Sequence, residues 1–356
     1  MARSELRQSE VAPLPFHRDP LVWLILSEKT GDNAQLLTLA EALPWPCEIK
    51  RISVREPYVV GKPKVHASLH HVDPRRSDAL APPWPDLVVA IGRRMSMVAL
   101  WIQEQAGGRT RIALLGAPKR LAGRFDLAVV SEQYRQGQRA NLMRITYPLQ
   151  RIDEAAIASE SEARRSEFAE LPRPLIAVMV GGSTKAVRFD AAVAARLARD
   201  VGEFAHREGG TLFVTTSRRT SPVVAAALER ELPTGAILYR WTADAQRNPY
   251  RALLGLADRF VVTSDSQSML MEIARLGRPL AIYALPSSSW LARGPFGTIG
   301  KRVEMLGRHR DLTAISRLLV RDGFAVWFGE PFRLDGRRPP DELAEVAARI
   351  VALAEP

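Results

Sequence analysis

Strand-sized apolar runs, each followed by a short polar loop and a stretch of helical periodicity, recur along almost the entire chain. That alternation constrains the fold most, because strands separated by helices pair in parallel and need cover on both faces. Leu21–Ser27 (LVWLILS) and Leu87–Ile91 (LVVAI) are continuously apolar, as strands buried on both faces require. Ala34–Leu43 carries Leu36, Leu37, Leu39, Ala40 and Leu43 at helical spacing, and Gly92-Arg93-Arg94 opens a helix through Gln105. Glu48–Val54, Arg111–Leu115 and Phe125–Val130 read as further strands, and Arg55–Pro85 as an excursion with at most one short helix. Pro148 closes this half, the charged helix Glu154–Leu171 follows, and the pattern restarts. Strands are expected at Leu175–Val180, Thr211–Thr215, Ala236–Tyr239, Phe260–Thr263 and Pro279–Ala284. Helices are expected at Asp190–Arg207, Pro222–Leu232, Pro249–Ala257 and Ser266–Leu276.

The expected architecture is therefore α/β, with two Rossmann-like parallel-sheet domains facing a cleft. At 356 residues the chain is too long for one ordinary domain. It divides into a flexible leader (1–19), an N-terminal acceptor-side domain (20–150), a helical connector (151–172) and a C-terminal domain (173–330). A last helical segment (331–356) is expected to pack back on the first domain. The leader is polar and lacks an apolar core with a small-residue cleavage site, which argues against a secretory signal. No apolar run approaches the roughly 20 residues of a membrane-spanning helix. Cys47 is the only cysteine, so no internal disulfide forms and a cytoplasmic location is expected.

Charge narrows the partners. Residues 1–150 hold 21 Lys and Arg against 14 Asp and Glu, and the remainder 29 against 25. Such an excess admits phosphorylated substrates, an anionic lipid surface or a lipid-linked acceptor, with the protein peripheral to the inner membrane. A merely well-solvated surface explains it equally well. Nucleic acid is not an expected partner, since the chain lacks a dense basic run, interleaved aromatics or a reader motif.

Three loops in the second half follow strands and carry anion donors. In Val180–Lys185 (VGGSTK), Gly181 and Gly182 let the backbone approach an anion, and Ser183, Thr184 and Lys185 supply donors. It is neither a Walker loop nor a Gly-x-Gly-x-x-Gly fingerprint, and a plain turn is the alternative. Thr215–Thr220 (TTSRRT) sets Arg218 and Arg219 among hydroxyls that include Thr216 and Ser217, a set suited to a diphosphate. Thr263–Pro279 begins with Ser264, Asp265, Ser266 and Ser268 at a helix start, where N–H groups and the dipole favour phosphate. Glu272 lies four residues beyond Ser268, on the same helix face, where it can accept bonds from ribose hydroxyls. Asp265 can instead cap that helix.

The first half offers less. Gly31, Asp32, Asn33 and Gln35 occupy the first post-strand loop; Asp32 is the candidate base for an acceptor hydroxyl, and helix capping by Asp32 or Asn33 is the simpler reading. Arg93 and Arg94 suit an anionic acceptor. His66, His70 and His71 have a metal-like spacing, but no Cys or carboxylate completes the set, so a surface role is expected. No metal site and no cofactor is expected, and there is no Asp-x-Asp pair for a divalent ion.

Taken together, GDNAQ (31–35), GRR (92–94), FDL (125–127), GGSTK (181–185), TTSRRT (215–220), NPY (248–250) and TSDSQSM…E…GRP (263–279) resemble the bacterial relatives of the plant mitochondrial-fission factor Elm. That family is glycosyltransferase-like, with the two-domain GT-B fold. The resemblance implies that Asn248 and Tyr250 belong to a donor site, that Ser266–Met269 hold a diphosphate, and that Glu272 holds the ribose. It also departs: Gly116-Ala117-Pro118 stands where the family has Asp-Pro, and Gln133-Tyr134 where it has His-Asp. A metal-independent glycosyltransferase acting from a nucleotide-sugar is the leading reading. A non-catalytic interaction protein retaining the fold is the alternative, and the missing Gly-x-Gly-x-x-Gly fingerprint disfavours an NAD-dependent epimerase.

Overall fold

The computed structural model describes residues 19–59, 65–116, 123–132, 138–184, 187–244, 246–288 and 314–354. Lys185, Ala117-Pro118 and Gln133-Tyr134 lie outside them, as does almost all of the leader. In the first half the elements are β1 (Val22–Leu26), α1 (Thr30–Ala42), β2 (Cys47–Arg51), α2 (Glu56–Val59), β3 (Leu87–Ile91), α3 (Gly92–Gln105), β4 (Arg111–Leu115), β5 (Leu127–Ser131) and β6 (Leu142–Ile145). Helices α4 (Glu154–Ala163) and α5 (Arg165–Ala169) follow. The second half runs β7 (Leu175–Met179), α6 (Ala191–Glu208), β8 (Thr211–Thr215), α7 (Pro222–Glu231), β9 (Ile237–Tyr239), α8 (Tyr250–Leu256), β10 (Arg259–Thr263), α9 (Gln267–Arg275) and β11 (Leu280–Tyr283). It closes with α10 (Ala314–Arg321), β12 (Val326–Trp327) and α11 (Leu343–Ala354).

Two six-stranded, wholly parallel sheets result, ordered β2-β1-β3-β4-β5-β6 and β12-β11-β10-β7-β8-β9. Alternate residues of each strand feed opposite cores, which is why the runs read as continuously apolar. Val22, Leu24 and Leu26 pack with Leu36 and Leu39 of α1, whereas Trp23 and Ile25 pack with Met95, Val98 and Ile102 of α3. In the second sheet Ile176 and Val178 meet α6 and α7, and Leu175, Ala177 and Met179 meet α8 and α9. Val346, Ala347 and Ile350 of α11 lie in the first sheet's core beside α1.

Some expectations need correction. The charged connector is broken at Arg164 into α4 and α5. Strands β6 and β12 were not legible: Leu142–Ile145 is only partly buried at a sheet edge, and Val326–Trp327 is too short for a period. The histidine set is not helical, and only its first member, His66, is exposed, with His70 partly buried. His71 is fully buried; its Nε2 lies 3.1 Å from the Arg94 carbonyl, and His66 stacks on His70. Among the described residues, no three His, Cys, Asp or Glu are placed to hold a metal.

Candidate functional site

In both sheets the strand order reverses direction once, between β1 and β3 and between β7 and β10. Loops leaving such a pair diverge to opposite faces of the sheet, opening a crevice beyond the strands' carboxyl ends. At the β7/β10 crevice the three anion-donor loops come together on Asp265. Its Oδ2 accepts from the Gly182 amide at 2.8 Å and pairs with Arg219 Nη2 at 2.9 Å, while Oδ1 accepts from the Thr263 hydroxyl at 2.7 Å. Thr263 Oγ1 in turn accepts from the Gly181 amide at 2.9 Å, and Thr220 donates to the Gly181 carbonyl at 2.5 Å. Neither glycine leaves room for a side chain without movement of its neighbours: a Cβ on Gly181 would overlap the Asp265 carboxylate, and one on Gly182 the Arg219 backbone. Burial pushes the Asp265 carboxyl up, against the Gly182 amide, the Thr263 hydroxyl and Arg219, which all favour the charge.

This knot revises individual roles. Asp265 makes no cap on α9, and its charge is used to join loops. Ser183 is also engaged: its hydroxyl donates to the Phe189 carbonyl at 2.9 Å and accepts from the Phe189 amide at 3.1 Å. Thr216 Oγ1 accepts from the Trp241 amide at 2.7 Å, and Ser217 Oγ accepts from the Arg219 amide at 3.3 Å. Arg218 is exposed and makes no hydrogen bond or ion pair among the described residues. Ser266, Ser268 and Met269 occupy the start of α9, whose first-turn N–H groups have no intrahelical partner.

One turn along α9, the structure joins Asn248, Tyr250 and Glu272. Asn248 Oδ1 accepts from the Tyr250 amide at 3.0 Å, the Tyr250 hydroxyl donates to Glu272 Oε2, and Gln150 Nε2 donates to Glu272 Oε1 at 2.9 Å. Burial raises both the Glu272 carboxyl and, beside its charge, the Tyr250 phenol, so Tyr250 stays protonated as donor. Gln150 and Trp241 were not singled out from the sequence. Trp241 had a legible signal, an aromatic residue just past the strand expected at Ala236–Tyr239, but Gln150 reaches Glu272 only through tertiary contact.

At the β1/β3 crevice Asp32 sits within α1 rather than capping it, 3.6 Å from Lys29 Nζ, and a side chain at Gly92 would begin 3.8 Å from Asp32 Oδ2. Asn33 does not cap either; it clasps Ser27 from both sides, accepting from its amide and donating to its carbonyl. Gly31 and Gln35 share one turn of α1, with Gln35 Nε2 3.4 Å from the Gly31 carbonyl. Arg94 Nε donates to the Tyr58 carbonyl at 2.7 Å, which fixes the excursion over α3. Arg93 lines a cavity of about 40 Å³ with Gly92, Ser96 and Gly116, room for about one water. Among the described residues, Asp32 makes no bond to the second sheet.

The family described as Mitochondrial fission ELM1 matches residues 30–352. The Mitochondrial fission protein ELM1 of Arabidopsis thaliana is 26% identical over 228 residues, covering 58% of this chain and 53% of that protein. The chain thus spans about half the length of that relative. An uncharacterized protein of Rickettsia prowazekii (strain Madrid E) is 20% identical over 301 residues, 75% of this chain and 84% of its own. Among solved structures, UDP-GlcNAc 2-epimerase from Methanocaldococcus jannaschii aligns with a TM-score of 0.50 and 10% identity over 93% of this chain and 99% of that one. At that identity the likeness concerns the fold, which is GT-B: two parallel α/β sheets with helices on both faces.

Proposed function

The chain belongs to the mitochondrial fission ELM1 family, and on that premise we propose a metal-independent GT-B glycosyltransferase that uses a nucleotide-diphosphate sugar. One observation carries this reading: Gly181-Gly182, Thr216–Arg219 and Thr263–Ser268 converge on Asp265 at a strand-order reversal. In this reading the diphosphate lies against the start of α9 and the exposed Arg218, and the half-exposed Trp241 offers a ring to the base. An acceptor hydroxyl attacks the anomeric carbon, its proton passing to Asp32. The bond from that carbon to the diphosphate breaks, and the electron pair stays on the leaving diphosphate. With no Asp-x-Asp pair, Arg218 and helix N–H groups neutralise the developing charge.

A second reading is favoured by Glu272 and Arg219. Both are already satisfied inside the protein, by Tyr250 and Gln150 and by Asp265, as in a fold kept for binding another protein. Thermal shift with UDP-sugars, GDP-sugars and NAD separates the two. A nucleotide-sugar should raise Tm, Arg218→Ala should remove most of that shift without lowering the ligand-free Tm, and EDTA should change neither binding nor turnover. If no nucleotide-sugar moves the Tm of the folded protein, the interaction reading stands instead.

A further inference from the structure

Far along the chain from the loops that meet at Asp265, residues 333–338 (RLDGRR) form a turn whose side chains are exposed. Its base is built in. Gly277, at φ +66°, has no room for a side chain, because a Cβ there would lie 2.5 Å from the Gly336 carbonyl. Arg338 Nη1 donates to Glu154 Oε1 at 2.7 Å, Pro339 is buried, and the Arg337 amide donates to Asp335 Oδ1 at 3.4 Å. Yet Leu334, held on this turn, is 72% exposed, the most exposed large apolar side chain among the described residues. A single exposed leucine is ordinary on a protein surface. Its neighbours are not.

The guanidinia of Arg333 and Arg337 converge over Gly323, where a side chain would begin 3.2 Å from the Nη1 of each. Two like charges held this close repel unless an anion joins them. Among the described residues neither makes a hydrogen bond or ion pair through its guanidinium. The adjacent carboxylate, Asp322, feels the charge of Arg337 but gives its close contacts to Arg321, at 2.6 and 3.0 Å, and to the Tyr147 hydroxyl, at 2.7 Å. Arg337 also rests on the Phe324 ring, 5.3 Å from its centre, which limits its retreat into solvent.

We propose that this turn docks the chain on an anionic phospholipid surface, with Arg333 and Arg337 holding a headgroup phosphate and Leu334 entering the acyl boundary. Paired guanidinia select a phosphate oxyanion, and the apolar residue fixed beside them selects a lipid over a soluble phosphate. The net charge of +11 favours the same surface at longer range. The inference is independent of the nucleotide-sugar reading.

Co-sedimentation of the full chain with vesicles tests it, using phosphatidylcholine alone or mixed with phosphatidylglycerol. The chain should pellet with the mixed vesicles only. Arg333→Gln/Arg337→Gln should lower partitioning roughly 25-fold, at about fivefold per arginine. Leu334→Ser, which leaves the charge unchanged, should lower it several-fold, and neither variant should alter the ligand-free Tm. Equal pelleting of wild type and the double variant would overturn the proposal. So would a Tm rise with inorganic phosphate that needs both arginines while the mixed vesicles fail to pellet the chain, since the pair would then hold a soluble anion.

Discussion

Asp265 is bound by the Gly182 amide, the Thr263 hydroxyl and the Arg219 guanidinium, and its side chain is wholly buried, so its charge serves the protein and not a ligand. His71 shows the same economy in the first half. It is fully buried, with Nε2 against the Arg94 carbonyl, and burial together with the nearby charges of Arg94, His70 and His66 lowers its pKa from 6.5 to about 4. The unfolded chain therefore takes up the proton first as pH falls. The stability His71 contributes is complete above pH 6.5 and is lost between there and about 4, roughly 3 kcal/mol in all. His71→Gln keeps a donor for the Arg94 carbonyl and removes the titration. Its denaturant-derived stability should be flatter than wild type's across that window, and an unchanged acid slope would show that another group is responsible. The sequence showed these residue types at these positions but not their partners, because a carboxylate or an imidazole is legible only as a type until its neighbours are known.

At the scale of elements, the post-strand loops work as one unit because two of them approach more closely than a Cβ permits. Gly182→Ala would press against the Arg219 backbone and separate the second loop from the first. It should cost about 1–3 kcal/mol and abolish any nucleotide-sugar shift while the far-ultraviolet dichroism is kept. Gly31→Ala is the matched control: its Cβ meets nothing within 4 Å on α1, so stability should hold or rise slightly. Equal losses at both positions would mean that glycine flexibility, and not close approach, governs the loops.

Across the whole molecule the two sheets are joined by the chain leaving β6. The Glu342 carboxylate, just before α11, accepts from the Thr146 amide at 2.9 and 3.0 Å and from the Tyr147 amide at 3.3 Å. Tyr147 is buried in the second sheet's core and donates to Asp322 at 2.7 Å, and Gln150 reaches Glu272 three residues later. Glu342→Ala leaves two amides without their acceptor and should cost about 1–3 kcal/mol. Hydrogen exchange at Thr146 and Tyr147 should accelerate well before the β1 and β7 amides respond. Unaltered protection at both would show that the crossing is held by packing alone.

The sequence by itself determined the two sheets, most of their strands and the three post-strand loops of the second half, because parallel strands covered on both faces must be apolar without a break, as in LVWLIL and LIAVM. Polar residues directly after such runs then announce the strand ends where ligands can bind. Edge strands such as β6 and β12 escape this logic, since partial burial and short length leave no pattern. Only the tertiary structure decided that Asp265 binds loops and not a helix end, and that Glu272 is held by Tyr250 and Gln150. Each of these contacts joins residues far apart along the chain, and local spacing carries no information about which distant group will bring a matching donor, charge or apolar face.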